Sequence, residues 1–317
     1  MRFLAARLGA MLVTLLLVSM AVFVIADLLP GDVGRTILGP YASPEQVARL
    51  NAELGADQPV VTRYTRWIGD FITGDWGKSY LFDQEVLPLV LERLRNSVYL
   101  GGFAALIVVP ISVAFGVLAA LHGGRFLDRL ISVVGLSLIG IPEFVAGIVL
   151  LVVFAVQLQW FDVISEVPRT LNPVDWWREF LLPSLPLMFV LFGYIARMAR
   201  AGTLEALRAN YTRTAVLKGV PRPAVILRHV LRNAMIPTIS VIAVQVGGLV
   251  GGLVVVETVF SYPGLGQLLL RSATGHDLPV LTAVILVTAL IYMVANMLAD
   301  LSYVLLNPRI RGRRATA

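Results

Sequence analysis

The stretch RMARAGTLEALRANYTRTAVLKGVPRPAVILRHVLRNAMIP (Arg197–Pro237) holds eight Lys and Arg against one acid, Glu205, and lies between two strongly apolar segments. Over the whole chain of 317 residues, 57% are hydrophobic and only 15% are charged. The mean hydropathy is +0.81. Soluble domains carry about a quarter charged residues, so this balance is that of a bilayer protein. The basic interlude therefore separates membrane spans, and its position decides how the chain threads the bilayer.

A span needs about 20 mostly apolar residues. Six stretches meet or approach that length: 8–29, 97–121, 130–156, 180–196, 237–259 and 280–306. The fourth reads weakest, because it is short and contains Pro183 and Pro186. The first follows Arg2 and Arg7, and its apolar run exceeds the roughly 7–15 residues of a signal h-region. We therefore expect it to be a retained span, although Val24-Ile25-Ala26 before Asp27 also has the form of a cleavage site.

Lys and Arg orient such a chain, because they accumulate on the inner side. With the N-terminus inside, the inner segments carry Arg2 and Arg7, Arg125 and Arg129, the eight of the interlude, and four between 309 and 314. The remaining ten of the 26 fall outside, most of them mixed with acids in the 30–95 segment. The formal charge of +6 is thus a topology signal, with both termini inside. No single soluble module gathers the basic residues, which argues against a nucleic-acid partner.

The expected architecture is all-α and polytopic. Its parts are an N-terminal segment with span one (1–29), an extracytoplasmic cap (30–95), and a transmembrane core (96–306). The core includes an inner loop over 197–236, and a tail follows over 307–317. In the cap, Ser43-Pro44-Glu45-Gln46 has the form of a capping box, and Gly55 is placed to close that helix. Trp67 and Phe71 stand four residues apart on one helical face. Gly77-Lys78-Ser79 resembles the end of a phosphate-cradling loop. That loop needs a glycine five residues before Gly77, and Ile72 stands there. His122, His229 and His276 show no ligand spacing, and the chain has no cysteine.

Ionisable residues within spans are costly and are functional candidates by default. Glu143, in GIPEF, lies about 20 Å along a helix from Arg129 and is placed deep in span three, either at a proline kink or as a polar wall of a substrate path. Glu257 is placed near the outer end of span five and Asp300 near the inner end of span six. The glycines of VGGLVGGLV recur at spacing four, Gly247 with Gly251 and Gly248 with Gly252, which suits close helix packing.

From its residues alone the interlude reads two ways. It is either a basic helix on the anionic inner leaflet or a short helix offered to a partner's groove. YTRTAVLKGVPRPAVILRHVLRNAMIP (211–237) resembles the cytoplasmic EAA-type loop of ABC importer permeases, in the dipeptide/oligopeptide/nickel form. DLLPGD after span one, LGADQPVVTRYTRWIGDFITGDWGKSY beyond it, ETVFSYPGLGQLL after span five and DLSYVLLNPRIR at the end resemble the same family in order. On the EAA pattern the first position falls on Arg213, where the signature has glutamate. The small positions fall on Thr214 and Ala215 and the glycine on Gly219, with Lys218 and Val220 beside it. Glu257, Pro263, Gly264, Gly266, Asp300, Pro308 and Arg309 fall on family-motif positions, with Asn307 where an aspartate is usual.

The resemblance implies a permease subunit of a binding-protein-dependent importer in a bacterial or archaeal cytoplasmic membrane. The implied partners are a second homologous permease, two cytosolic ABC ATPase subunits and an extracytoplasmic substrate-binding protein, with lipid around the spans. It implies no catalytic residue and no cofactor on this chain, since ATP and Mg would be held by the ATPases. It also implies that 213–220 couple to an ATPase, and that the solute is a peptide or a related small molecule. An ion-coupled secondary transporter using Glu143, Glu257 and Asp300 is the alternative from the residues, and a membrane scaffold without transport is a third.

Overall fold

A computed structural model describes residues 2–28, 33–39, 41–53, 58–168 and 172–306. Gly55, Asn307, Pro308 and Arg309 lie outside the described residues. The described chain is helical and divides into two compact units. One contains residues 1–97 and 263–291, the other 98–262 and 292–317.

In the first unit, α1 (Arg2–Leu28) is followed by α2 (Val33–Leu38), α3 (Pro44–Glu53) and α4 (Val60–Thr73). The capping box forms as the sequence predicts. The Ser43 N–H donates to Gln46 Oε1 at 3.0 Å, and the Gln46 N–H donates to Ser43 Oγ at 3.3 Å. An aromatic run fixes α4 on α1. Phe23 meets Tyr64 and Trp67 at ring separations of 5.6 and 5.4 Å, and Trp67 meets Phe71 at 5.6 Å. Phe71 in turn stacks on Trp76 at 4.4 Å. Each such ring pair contributes about 0.5–1.5 kcal/mol beyond its area.

The Gly77-Lys78-Ser79 turn is built inward rather than around a phosphate. Its backbone groups are used by Gln84 and Val86, and Lys78 pairs with Asp83. Ser79 Oγ donates to the Asp277 carboxylate, which also accepts the Leu81 N–H at 3.1 Å. Asp277 is fully buried. Burial and that carboxylate push the Tyr80 phenol above its ordinary value and keep it neutral. The same unit contains the start of α5 (Val86–Leu121), α12 (Leu265–Thr274) and the start of α13 (Leu278–Leu306). Val86, Leu89, Val90, Leu268, Val280 and Val284 form its apolar core.

The second unit is organised around α8 (Pro173–Arg208), preceded by α6 (Phe126–Gly140) and α7 (Glu143–Leu150). The helix starts where Asn172 accepts the Val174 N–H at 3.1 Å and Pro173 occupies the first turn. It runs through Pro183 and Pro186, and Ser184 donates its hydroxyl to the Phe180 carbonyl. The weakest predicted span is thus a 36-residue helix, whose most apolar window is 61% buried against 11–39% for the other long helices. Hydropathy reports contact with lipid, and α8 is surrounded by protein, so it needs less of it.

Small residues let its neighbours approach at backbone distance. A Cβ at Gly135 of α6 would lie 3.6 Å from the Gly193 Cα. A Cβ at Gly202 would lie 2.8 Å from the Ala234 carbonyl oxygen, closer than side chains come. Ala234 belongs to α11 (Leu231–Val259), which continues without interruption from α10 (Arg222–Ala224) through a π-helical segment, Val225–Val230. A fork joins α6 to α8: Arg200 Nη2 donates to Asp128 Oδ2 at 2.8 Å, Arg200 Nε pairs with Oδ1, and the Gly124 N–H adds 2.9 Å to Oδ2.

Two expectations are corrected here. Span three is not one helix over 130–156. It breaks at Ile141-Pro142 and turns by 99° before Glu143–Gln157, because proline has no N–H and holds the preceding residue extended (Ile141 φ −88°, ψ 118°). The glycine pairs at spacing four do not pack as pairs. Gly247 faces Ala295 and Gly252 faces Glu143, whereas Gly248 and Gly251 meet nothing within 4 Å.

The Asp128–Arg200 fork gives a testable cycle. Asp128→Ala and Arg200→Leu each leave a charge without its partner, and each lowers unfolding stability in detergent by about 3 kcal/mol. The double variant recovers most of that loss; additive losses would show that the pair does not hold α6 on α8.

Candidate functional site

The basic interlude folds into a knuckle. α8 ends at Arg208, Ala209 is extended (φ −70°, ψ 147°), and α9 (Asn210–Leu217) turns away. Thr212 ties α9 back to α8, its buried hydroxyl donating to the Ala206 carbonyl at 2.7 Å. The far end is closed by Gly219 at φ +74°. Its N–H donates to the Val216 carbonyl at 3.0 Å, and the Val220 N–H donates to the Ala215 carbonyl at 3.3 Å. This is a Schellman stop, with Val220 packed against the apolar cluster that contains Ala215, as that motif favours. A Cβ at Gly219 would meet nothing within 4 Å, so the left-handed backbone alone demands glycine there. Pro221 then accepts the Val225 N–H at 3.0 Å, which starts the run into α11.

Ala206, Ala215, Val225, Val230 and Ala234 form a small core beneath the knuckle. The core orients α9. Arg213, Thr214, Lys218 and Gly219 face outward, Ala215 is buried and Val220 is half-buried. Ala215 thus holds α9 in place and is not on the outer surface. Two residues not singled out from the sequence occupy that surface instead, Val216 at 59% and Leu217 at 79% exposure. The signal for them was available: they are the apolar residues between the charges of Arg213 and Lys218. Among the described residues neither cation has an ion pair.

Apolar side chains held out on a rigid, cation-flanked turn suit a partner's groove. The Thr214 hydroxyl is spent within α9, donating to the Asn210 carbonyl at 2.9 Å.

The remaining candidates are dispersed. Glu143 opens α7, half-buried, with its carboxylate against Gly252 of α11. Glu257 is fully buried in the last turn of α11, where its carbonyl accepts the Tyr262 N–H at 2.8 Å. The sequence places it near the outer end of span five, and it stands in the last turn of that helix. Pro263 accepts from Asn96 Nδ2 at 2.8 Å, Gly264 precedes α12, and Gly266 is buried in it. The Leu265 N–H donates to Ser97 Oγ at 2.8 Å, so this motif anchors the entry of α12 onto α5. Asp300 is half-buried on α13. Among the described residues, no group of three His, Asp or Glu side chains is placed to hold a metal ion.

Comparison with known proteins agrees over the length of the chain. Residues 112–312 match the family described as "Binding-protein-dependent transport system inner membrane component". Residues 1–100 match the N-terminal region of such membrane components. A probable peptide ABC transporter permease protein of Sinorhizobium fredii is 33% identical over 305 residues, covering 96% of this chain and 97% of that one. A putative peptide transport system permease protein of Brucella abortus is 36% identical over 307 residues at the same coverage. A glutathione transport system permease protein of Escherichia coli K12 is 36% identical over 305 residues, again covering 96% and 97%.

The Schellman stop makes a local prediction. Gly219→Val forces a β-branched residue into the left-handed region and opens the end of α9, so amide exchange over 215–220 rises at least tenfold. Gly219→Asn, which tolerates that backbone, stays within about threefold of the parent. Equal exchange in both variants would mean that the turn does not depend on the glycine.

Proposed function

This chain belongs to the binding-protein-dependent transport system inner membrane component family, and we propose that it serves as a peptide-importing permease subunit whose α9 knuckle couples it to a cytosolic ATPase. The protein is a multi-pass inner-membrane permease of an ABC transporter, and permease subunits are not themselves enzymes. Peptide is the solute class named for its relatives of Sinorhizobium and Brucella, and glutathione is itself a small peptide. In this reading the partners are a second permease of like fold, two ATPase subunits that bind and hydrolyse ATP, and an outer substrate-binding protein.

The observation that carries the reading is the outward pair Val216-Leu217 on a helix braced from behind. A coupling element must be both exposed and stiff, so that a push at its tip is not lost in its own bending. Leu217 supplies the exposed anchor, while Thr212 on Ala206 and Ala215 in the small core supply the brace. Force on α9 is delivered to the end of α8. The Asp128–Arg200 fork and the glycine contacts then transmit displacement of α8 to α6 and α11. Arg213 and Lys218 flank the anchor and add attraction to an acidic cleft. Arg213 stands where the family signature carries glutamate, so the charge offered at that point is reversed.

The importer reading is tested by reconstituting the complete complex in proteoliposomes. Leu217→Asp inserts and pairs normally but lowers both ATP-dependent uptake and binding-protein-stimulated ATP hydrolysis at least tenfold. Parental uptake by that variant would remove α9 from the coupling path. Uptake by the isolated chain driven by a proton or sodium gradient without ATP would replace the importer with a secondary transporter.

A further inference from the structure

We propose that Glu143 is a charge-selective station on the translocation path, holding the free ammonium group of a passing peptide. The inference rests on the importer reading above and extends it to one residue and one functional group of the solute.

The argument begins with cost. A carboxylate in the apolar part of a membrane helix is disfavoured by a few kcal/mol and persists where it has work to do or a partner to satisfy it. Among the described residues Glu143 has no hydrogen bond or ion pair. It does lie directly on the α11 backbone. A Cβ at position 252 would come within 2.6 and 2.7 Å of the two carboxylate oxygens, so the glycine lets the side chain rest there where a larger residue would turn it aside.

The break at Ile141-Pro142 sets this position. A straight helix would carry residue 143 onward along the line of α6, whereas the 99° turn brings the first residue of α7 beside α11. The α11 surface next to it is open: Gly248 and Gly251 are exposed and meet nothing within 4 Å. Gln245 and Gly248 share a helical stripe with Gly252, at offsets of seven and four residues, which sets Gln245 about 10 Å along the helix from the carboxylate. A half-exposed amide in an otherwise apolar run is a second polar foothold, suited to peptide groups.

The pattern favours a solute with a positive end and amide groups behind it. Peptides have that chemistry, and so does glutathione, which keeps a free α-ammonium group. An unpaired carboxylate attracts the ammonium without metal or cofactor and releases it readily, since a single half-buried contact is weak enough to leave. A carboxylate needed only for packing would tolerate its amide isostere, and this distinction makes the assignment testable.

The complete importer in proteoliposomes is given trialanine, with Glu143→Gln and Glu143→Asp compared against the parent. Binding-protein-stimulated ATP hydrolysis and complex assembly are followed in parallel. Glu143→Gln lowers trialanine uptake at least tenfold with assembly and stimulated hydrolysis unchanged, and Glu143→Asp keeps uptake within about threefold. Parental uptake by Glu143→Gln overturns the proposal and leaves Glu143 a packing group. Equal losses in both variants, or loss together with assembly, overturn it in favour of a structural role. Failure of the parent itself to import trialanine while its ATP hydrolysis responds to the binding protein defeats the peptide reading, and the ammonium station with it.

Discussion

Backbone-to-backbone packing along α8 is the constraint on which the second unit depends. Gly193 lies against Gly135 on one side and Gly202 lies under the Ala234 carbonyl on another, so side chains cannot cushion relative movement between these helices. In lipid, with no hydrophobic drive between helices, such contacts and a few polar links supply the association. The Asp128–Arg200 fork is the polar link here, and its bidentate geometry fixes direction as well as distance. A helix held in this way moves as a rod or not at all. That property lets a small knuckle at its end matter to residues far along it.

The knuckle and the broken third span are two uses of the same local chemistry. At Gly219 a glycine supplies the left-handed residue that ends α9 and turns the chain toward α11. At Pro142 a proline removes an N–H and splits one apolar stretch into two helices at 99°. The first turn presents an apolar tip braced from behind. The second sets a carboxylate against the glycine face of α11. Irregular backbone at membrane depth persists where protein surrounds it or where it lines a path, which fits the place of Glu143.

Much of this was legible in the sequence. The membrane class came from composition, the capping box from Ser43 and Gln46, and the aromatic face from Trp67 and Phe71. The family resemblance gathered the ordered motifs into one reading. What escaped did so for physical reasons. α8 looked weak because hydropathy measures exposure to lipid, and it is shielded by its neighbours. The split of span three was hidden because both halves are apolar and a membrane helix can carry a proline without parting. The Ser79–Asp277 contact joins residues 198 apart and leaves no trace in local pattern. Ala215 and Leu217 are both small or apolar in the string, and only the fold shows that one faces the core and the other faces out.

The central claim is that α9 seats its tip in an ATPase subunit. The chain contains no cysteine, so a single introduced thiol reports its own surroundings. The most direct measurement places Leu217→Cys in the assembled complex, adds a short bis-maleimide, and identifies the cross-linked partner. Val61→Cys, exposed on α4, serves as the reference. The account predicts a cross-link from position 217 to the ATPase subunit, with a yield that changes when nucleotide is added, and none from position 61. No cross-link from position 217, or the same yield from both positions, would contradict it.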